Sequence, residues 1–141
     1  MTDKFVKKAL TLTAVGAKQV LAAAEQEAER NGWPLCIAVT DERGELMAFL
    51  RMEGALFPSA DAAIVKARTA ARVKIPSKEF AAYATAGNAP IQALWGLGPL
   101  EGGVPIIIDG VVVGGVGTSG AAAEEDVMAS VAGAKAVGSI S

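Results

Sequence analysis

A chain of 141 residues, 52% apolar but only 5% aromatic, is long enough for one domain with a true core, and that core must be built from Ala, Val, Ile and Leu. Its formal net charge of −2 leaves no electrostatic footprint for nucleic acid. It has no histidine and one cysteine, Cys36, which excludes an intrachain disulfide, a histidine-based hydrolase site and imidazole ligation of a metal or haem.

No uninterrupted apolar run reaches the roughly 18 residues of a membrane span. Met1–Phe5 shows no basic-then-apolar leader pattern. With the single cysteine, these features lead to the expectation of a cytoplasmic protein.

In chain order, Thr2 or Asp3 is expected to cap a long helix running to about Arg30. Val6, Leu10, Thr13, Ala17, Val20, Leu21, Ala24 and Ala28 recur at helical spacing and mark its buried face. Asn31-Gly32 supplies the left-handed stop, and Pro34 leads the chain away. Leu35–Thr40 and Glu45–Met52 read as strands around the turn Asp41–Gly44. Pro58-Ser59 opens a second helix, Ala60 to about Ile75, with Ser59 as N-cap and Pro76 as stop. Ser77 caps a shorter helix through Tyr83. Ala86–Val104, rich in Gly, Pro and Asn, reads as an irregular connection with a helical turn at Ile91–Trp95.

Asp109-Gly110 sits between the apolar runs Val104–Ile108 and Val111–Val116, a strong hairpin signal. Neither run alternates with polar residues, so both faces of this hairpin are expected to be covered. A last helix runs from Glu124 or Glu125 to Val137. The order helix, hairpin, helix, hairpin, helix predicts one α+β domain over residues 1–141. In it an antiparallel sheet of two hairpins is packed by the long N-terminal helix and the further helices.

Three stretches carry chemistry. Gly114, Gly115 and Gly117 weaken a strand but permit close backbone approach. Ser119, Gly120 and the helix start beyond them present free N–H groups, which attract an anion. The competing reading is structural: Ser119 caps the helix while Glu124, Glu125 and Asp126 answer its dipole. Arg51, Met52, Glu53 and Gly54 close the first hairpin. Arg51 offers a planar fork for a carboxylate, or else pairs with Glu53, Asp61 or Asp126 as structural glue. Lys66 and Arg68 lie two apart on the second helix and do not share a face. A solvated face is the favoured reading for them. Cys36 reads as core, and Asp41 and Asp109 as turn residues.

In the order they occur, AVTDERGELMAFLRMEGA (Ala38–Ala55), SADAAIVKARTAA (Ser59–Ala71), GGVPIIIDGVVVGGVGTSG (Gly102–Gly120) and EEDVMASVAG (Glu124–Gly133) resemble the GlcG/HbpS family, related to the C-terminal domain of PduO-type proteins. The resemblance covers nearly the whole chain. It implies a profilin-like α+β fold and a homo-oligomer, a tetramer or octamer. Some relatives bind haem and others a corrinoid, so the implied function is small-molecule binding, of an anionic metabolite or a tetrapyrrole such as haem. Lacking histidine, this chain departs from any histidine-ligated member and leaves Tyr83, Cys36 and Met52 as iron donors. The ligand pocket is expected from Arg51, Met52, Glu53, Gly54, Lys66, Ser119, Gly120 and Asp126. The alternative is a catabolic isomerase or lyase acting on an anionic oxo acid, with Arg51 holding the carboxylate and Asp126 or Glu53 moving a proton. No metal site, nucleic-acid partner or membrane span is expected.

Overall fold

The computed structural model describes residues 3–88, 94 and 96–141. Its elements run α1 (Ala14–Asn31), β1 (Cys36–Asp41), β2 (Leu46–Arg51), α2 (Pro58–Val73), α3 (Ser77–Thr85), β3 (Gly103–Ile108), β4 (Val111–Ser119) and α4 (Ala123–Lys135). The strands form one antiparallel sheet in the order β2-β1-β4-β3, so the two hairpins meet along β1 and β4. This is the α+β arrangement that the sequence predicts.

Local chemistry fixes both hairpin turns. In the first, the Asp41 carboxylate accepts the Arg43 N–H at 2.8 Å and the Glu45 N–H at 3.0 Å, and Gly44 takes φ 81°. In the second, Asp109 and Gly110 both take left-handed φ, 52° and 74°, as a two-residue hairpin turn requires.

The N-terminal helix starts later than expected. Thr13 does not belong to its buried face; it is the N-cap, and its hydroxyl accepts the Gly16 N–H at 3.0 Å. Residues 3–12 before it are not helical, Thr2 lies outside the described residues, and Val6 and Leu10 are exposed. Leu12 alone of this segment is buried, and its N–H donates to the Val113 carbonyl at 3.2 Å. It sits beside the first part of β4, where β1 has already ended: the last β1 pair is Asp41 with Gly114.

Other boundaries shift as well. Phe57, not Ser59, is the N-cap residue of α2, with Pro58 in the first turn, and α2 ends where Lys74 adopts φ 63°. β4 continues through Gly117 and Thr118 to Ser119, because β1 pairs with it along that whole stretch. α4 stops at Lys135. Of the turn expected at Ile91–Trp95, all but Leu94 lies outside the described residues.

Two layers cover the sheet. One face carries Leu35, Ile37, Val39, Val104, Ile106, Val113 and Val116, packed by Ala17, Val20, Ala24 and Ala28 of α1 and by Ala129 and Ala134 of α4. The other carries Cys36 and Ala38, packed by Ala63 and Ala67 of α2. There the glycines of β4 find their use. A Cβ on Gly115 would run into the Ala67 carbonyl, and one on Gly117 into the Ala63 carbonyl. On the neighbouring strand, a Cβ on Gly103 would strike the Lys66 carbonyl. The glycine-rich run is the floor on which the α2 backbone rests.

Candidate functional site

The expected site residues fall into two groups. The first lies where β4 passes into α4. Lys66 and Asp126 are only 5% and 3% exposed. Lys66 Nζ donates to Asp126 Oδ2 and to the Thr118 carbonyl, both at 2.9 Å. Asp126 Oδ1 accepts the Ala121 N–H at 3.1 Å, and Thr118 Oγ1 donates to the Asp126 carbonyl at 2.7 Å. Gly102, at φ 138°, makes the notch for the lysine: a Cβ there would lie 2.9 Å from Lys66 Cδ and Nζ. Burial pushes the Asp126 carboxyl above its ordinary value, and the hydrogen bond from Lys66 pulls the other way.

This arrangement decides what the start of α4 can do. Glu125 Oε1 accepts the Ala122 N–H at 3.0 Å, and Asp126 takes the Ala121 N–H. The chain's own carboxylates therefore answer these donors, while Ser119 ends β4 instead of capping the helix. A raised carboxyl beside a cation has the ingredients of a proton-transfer pair. This one is sealed from solvent, and its hydrogen bonds are spent on the backbone and on each other. Lys66 is not on a solvated face; it ties α2, on one side of the sheet, to α4 on the other.

The second group lies at the far end of β2. Cys36 pairs with Arg51 on one side and with Ser119 on the other. The three residues form one row across β2, β1 and β4, their side chains toward the α2 face. Two strand spacings separate Arg51 from Ser119, about 10 Å. The Arg51 guanidinium stands 5.2 Å from the Phe57 ring centroid, a cation–π stack. Among the described residues it makes no ion pair, so it does not act as glue for Glu53, Asp61 or Asp126. Cys36 is fully buried, and burial pushes its thiol up against the opposing pull of Arg51. It is core, as its sequence context suggests.

Two adjoining clefts open here. One, of about 270 Å³, is lined by Ala28, Glu29, Gly32, Trp33, Pro34, Met52 and Glu53. The other, of about 340 Å³, shares Glu29, Met52 and Glu53 and adds Glu25, Leu50 and Arg51. Gly54, at φ 88°, turns the chain back past Pro34, and the Met52 N–H is held by the Leu35 carbonyl at 3.0 Å. Arg51, Met52 and Glu53 line these clefts, with Gly54 shaping their exit. Ser119 and Gly120 share the end of the sheet but line neither cleft. Glu25, Glu29 and Trp33 escape the sequence reading. The signal was present: Glu25 and Glu29 are four apart on α1, one face of the helix, just before the Gly32 turn. Among the described residues, no three acidic or cysteine side chains converge as a metal site.

A four-stranded antiparallel sheet with α1 and α4 on one face and α2 on the other defines the class: an α+β domain of the kind seen in HbpS structures. The chain belongs to the family described as haem degrading protein HbpS-like, whose model matches residues 12–135. It is 35% identical over 114 residues to Protein GlcG of Escherichia coli (strain K12), covering 81% of this chain and 85% of that protein. A double mutant of Streptomyces reticuli HbpS superposes with a TM-score of 0.88 at 32% identity, covering 95% of this chain and 92% of that one. A PduOC:heme complex superposes with a TM-score of 0.82 at 25% identity, covering 91% and 96%.

Proposed function

We propose that the protein binds a planar small molecule carrying a carboxylate, with tetrapyrroles the favoured class, at the Arg51 end of β2. The observation that carries this reading is Arg51 itself. It is an arginine stacked on Phe57, free of ion pairs among the described residues, at the border of two joined clefts. A guanidinium so placed is suited to a propionate-like group. Trp33, Pro34, Leu50 and Met52 supply apolar contact for a flat ring system. Ser119, in the same row, and Gly120 after it lie outside both clefts, and Lys66 with Asp126 holds that end of the sheet in position. The family's description and the heme complex of one relative support the ligand class.

The residues fit the ring and its carboxylates better than they fit the iron. No imidazole exists in the chain, Cys36 is sealed, and Tyr83 lies on α3, outside both clefts. Met52 is the one soft donor at the site. Bound haem would bring its iron here for oxidative or degradative chemistry; the chain's own part is to hold the periphery of the ring and shield one face from water.

Titration with hemin and with metal-free protoporphyrin tests this. Both should bind with similar affinity and a broad, shifted absorption band. Arg51→Ala should weaken both about ten- to a hundredfold, as expected for one charge-assisted contact of about 1.5–3 kcal/mol. A sharp Soret band for hemin alone, unmoved by Arg51→Ala, would overturn the assignment.

A further inference from the structure

The two edges of the sheet are treated in opposite ways. Along β3, three successive outward-facing positions are blocked. The Gly103 N–H donates to Ser77 Oγ at 2.8 Å. Pro105 has no N–H. Ile107 exchanges two backbone hydrogen bonds with Ser139, at 2.9 and 2.8 Å. No strand can add to that edge.

Along β2 nothing of the kind occurs. Its partner on one side is β1, and among the described residues no strand lies on the other. The Met52 N–H bonds the Leu35 carbonyl, so by alternation Leu50 and Ala48 also turn their backbone groups to β1. Those of Phe49 and Arg51 point to the open edge. From Leu46 to Leu50 the strand carries no charge and no proline. Leu46 is 46% exposed, Phe49 37% and nearby Phe57 77%, an apolar strip that α2 leaves uncovered.

We infer that β2 is the contact edge for a second copy of this chain, its β2 pairing antiparallel across a two-fold axis at Phe49. The occupant follows from the contrast. A strand edge is satisfied by another strand edge, and among the described residues only the β2 edge of this sheet is open. A copy therefore meets a copy through the same edge, and the contact closes on itself instead of growing a filament. Phe49 is the natural centre: its N–H and carbonyl both face outward, so each Phe49 exchanges both bonds with its counterpart. The sheet then runs continuously through both protomers.

The pairing also bears on the clefts at Arg51. Their lining comes from α1, the turn after it, the end of β2 and Met52 and Glu53 just past it, with no other strand on the open side. The partner's strand would supply the missing wall, so each site is complete only in the pair. The proposal does not depend on which ligand occupies the clefts.

A cysteine placed at the axis tests it. Directly opposed residues that exchange both hydrogen bonds have Cα atoms about 5.5 Å apart, within disulfide range. Phe49→Cys should form a covalent dimer on mild oxidation, with Cys36 too deeply buried to compete. Met128→Cys, exposed on α4, serves as the control and should not. Phe49→Lys should lower the mass in light scattering about twofold while leaving far-UV circular dichroism unchanged. Wild-type protein that is monomeric at tens of micromolar would overturn the proposal. So would a Phe49→Cys variant that stays uncrosslinked although wild type is oligomeric, or a Phe49→Lys variant that folds and keeps the full mass. Those last outcomes would assign the exposed strip to another partner, such as the apolar segment around Phe5 and Leu10.

Discussion

The two faces of the sheet are packed by opposite means. Under α2 the floor is glycine and alanine, and the helix backbone lies almost directly on the strand backbone of β4. Under α1 and α4 the floor is Leu, Ile and Val, and contact runs through branched side chains. A side chain can change rotamer to accommodate a neighbour; a peptide group cannot. The α2 face therefore holds its helix at one fixed distance, and the opposite face tolerates adjustment.

The largest test of this comparison is made where the two faces are tied together. Asp126→Ala leaves Lys66 buried without its carboxylate, and removal of one partner of a buried pair costs about 3–5 kcal/mol. Urea denaturation should show this as a large fall in midpoint, and a loss below 1 kcal/mol would mean that the faces are not coupled through the pair. The pH dependence has a defined sign. Burial raises the Asp126 pKa in the folded state, so the native chain takes up this proton before the unfolded chain does. The group's contribution is complete below its unfolded value and is lost as pH rises through the raised one. Wild-type stability relative to Asp126→Asn should therefore increase as pH falls from neutral toward 4.

A methyl added to the rigid face comes next. Gly117→Ala drives a Cβ into the Ala63 carbonyl with no side chain to yield, so its cost should reach the upper end of the roughly 1–3 kcal/mol range for overpacking. A methyl removed from the adjustable face should matter least. Ile37→Val should cost about 0.5–1.5 kcal/mol in the same assay. If Gly117→Ala proves as mild as Ile37→Val, the two faces do not differ as described.

Legibility in the sequence followed the range of the interaction. Both hairpins could be read because Asp41–Gly44 and Asp109-Gly110 hold their turns with their own atoms. The start of α1 could not: counting apolar residues at helical spacing carries the helix back through Leu10 and Val6, and nothing in that count sees Thr13 acting as a cap. The sequence ends β4 too early because its glycines count against a strand locally, whereas α2, far away in sequence, requires them. Lys66 and Asp126 both stand among the pocket residues expected from the sequence, and the structure joins them by a buried bond. Burial of that bond depends on Gly102, a position whose need for φ 138° has no local signal. Arg51, Met52 and Glu53 adjoin in sequence and so were found together. Glu25 and Trp33 join them only once α1 has packed against β2.

An order of events is implied by the way β3 is protected. Its outermost bonds are made by Ser139, which lies beyond α4, and by Ser77 at the start of α3. Until α4 has docked, the β3–β4 hairpin is an apolar ribbon with a bare margin, able to recruit any extended chain nearby. The interval between hairpin formation and α4 docking is then the stage at which a folding molecule is most open to mispairing. Slowing the arrival of α4 would be felt first as aggregation, before any loss of stability in the finished protein.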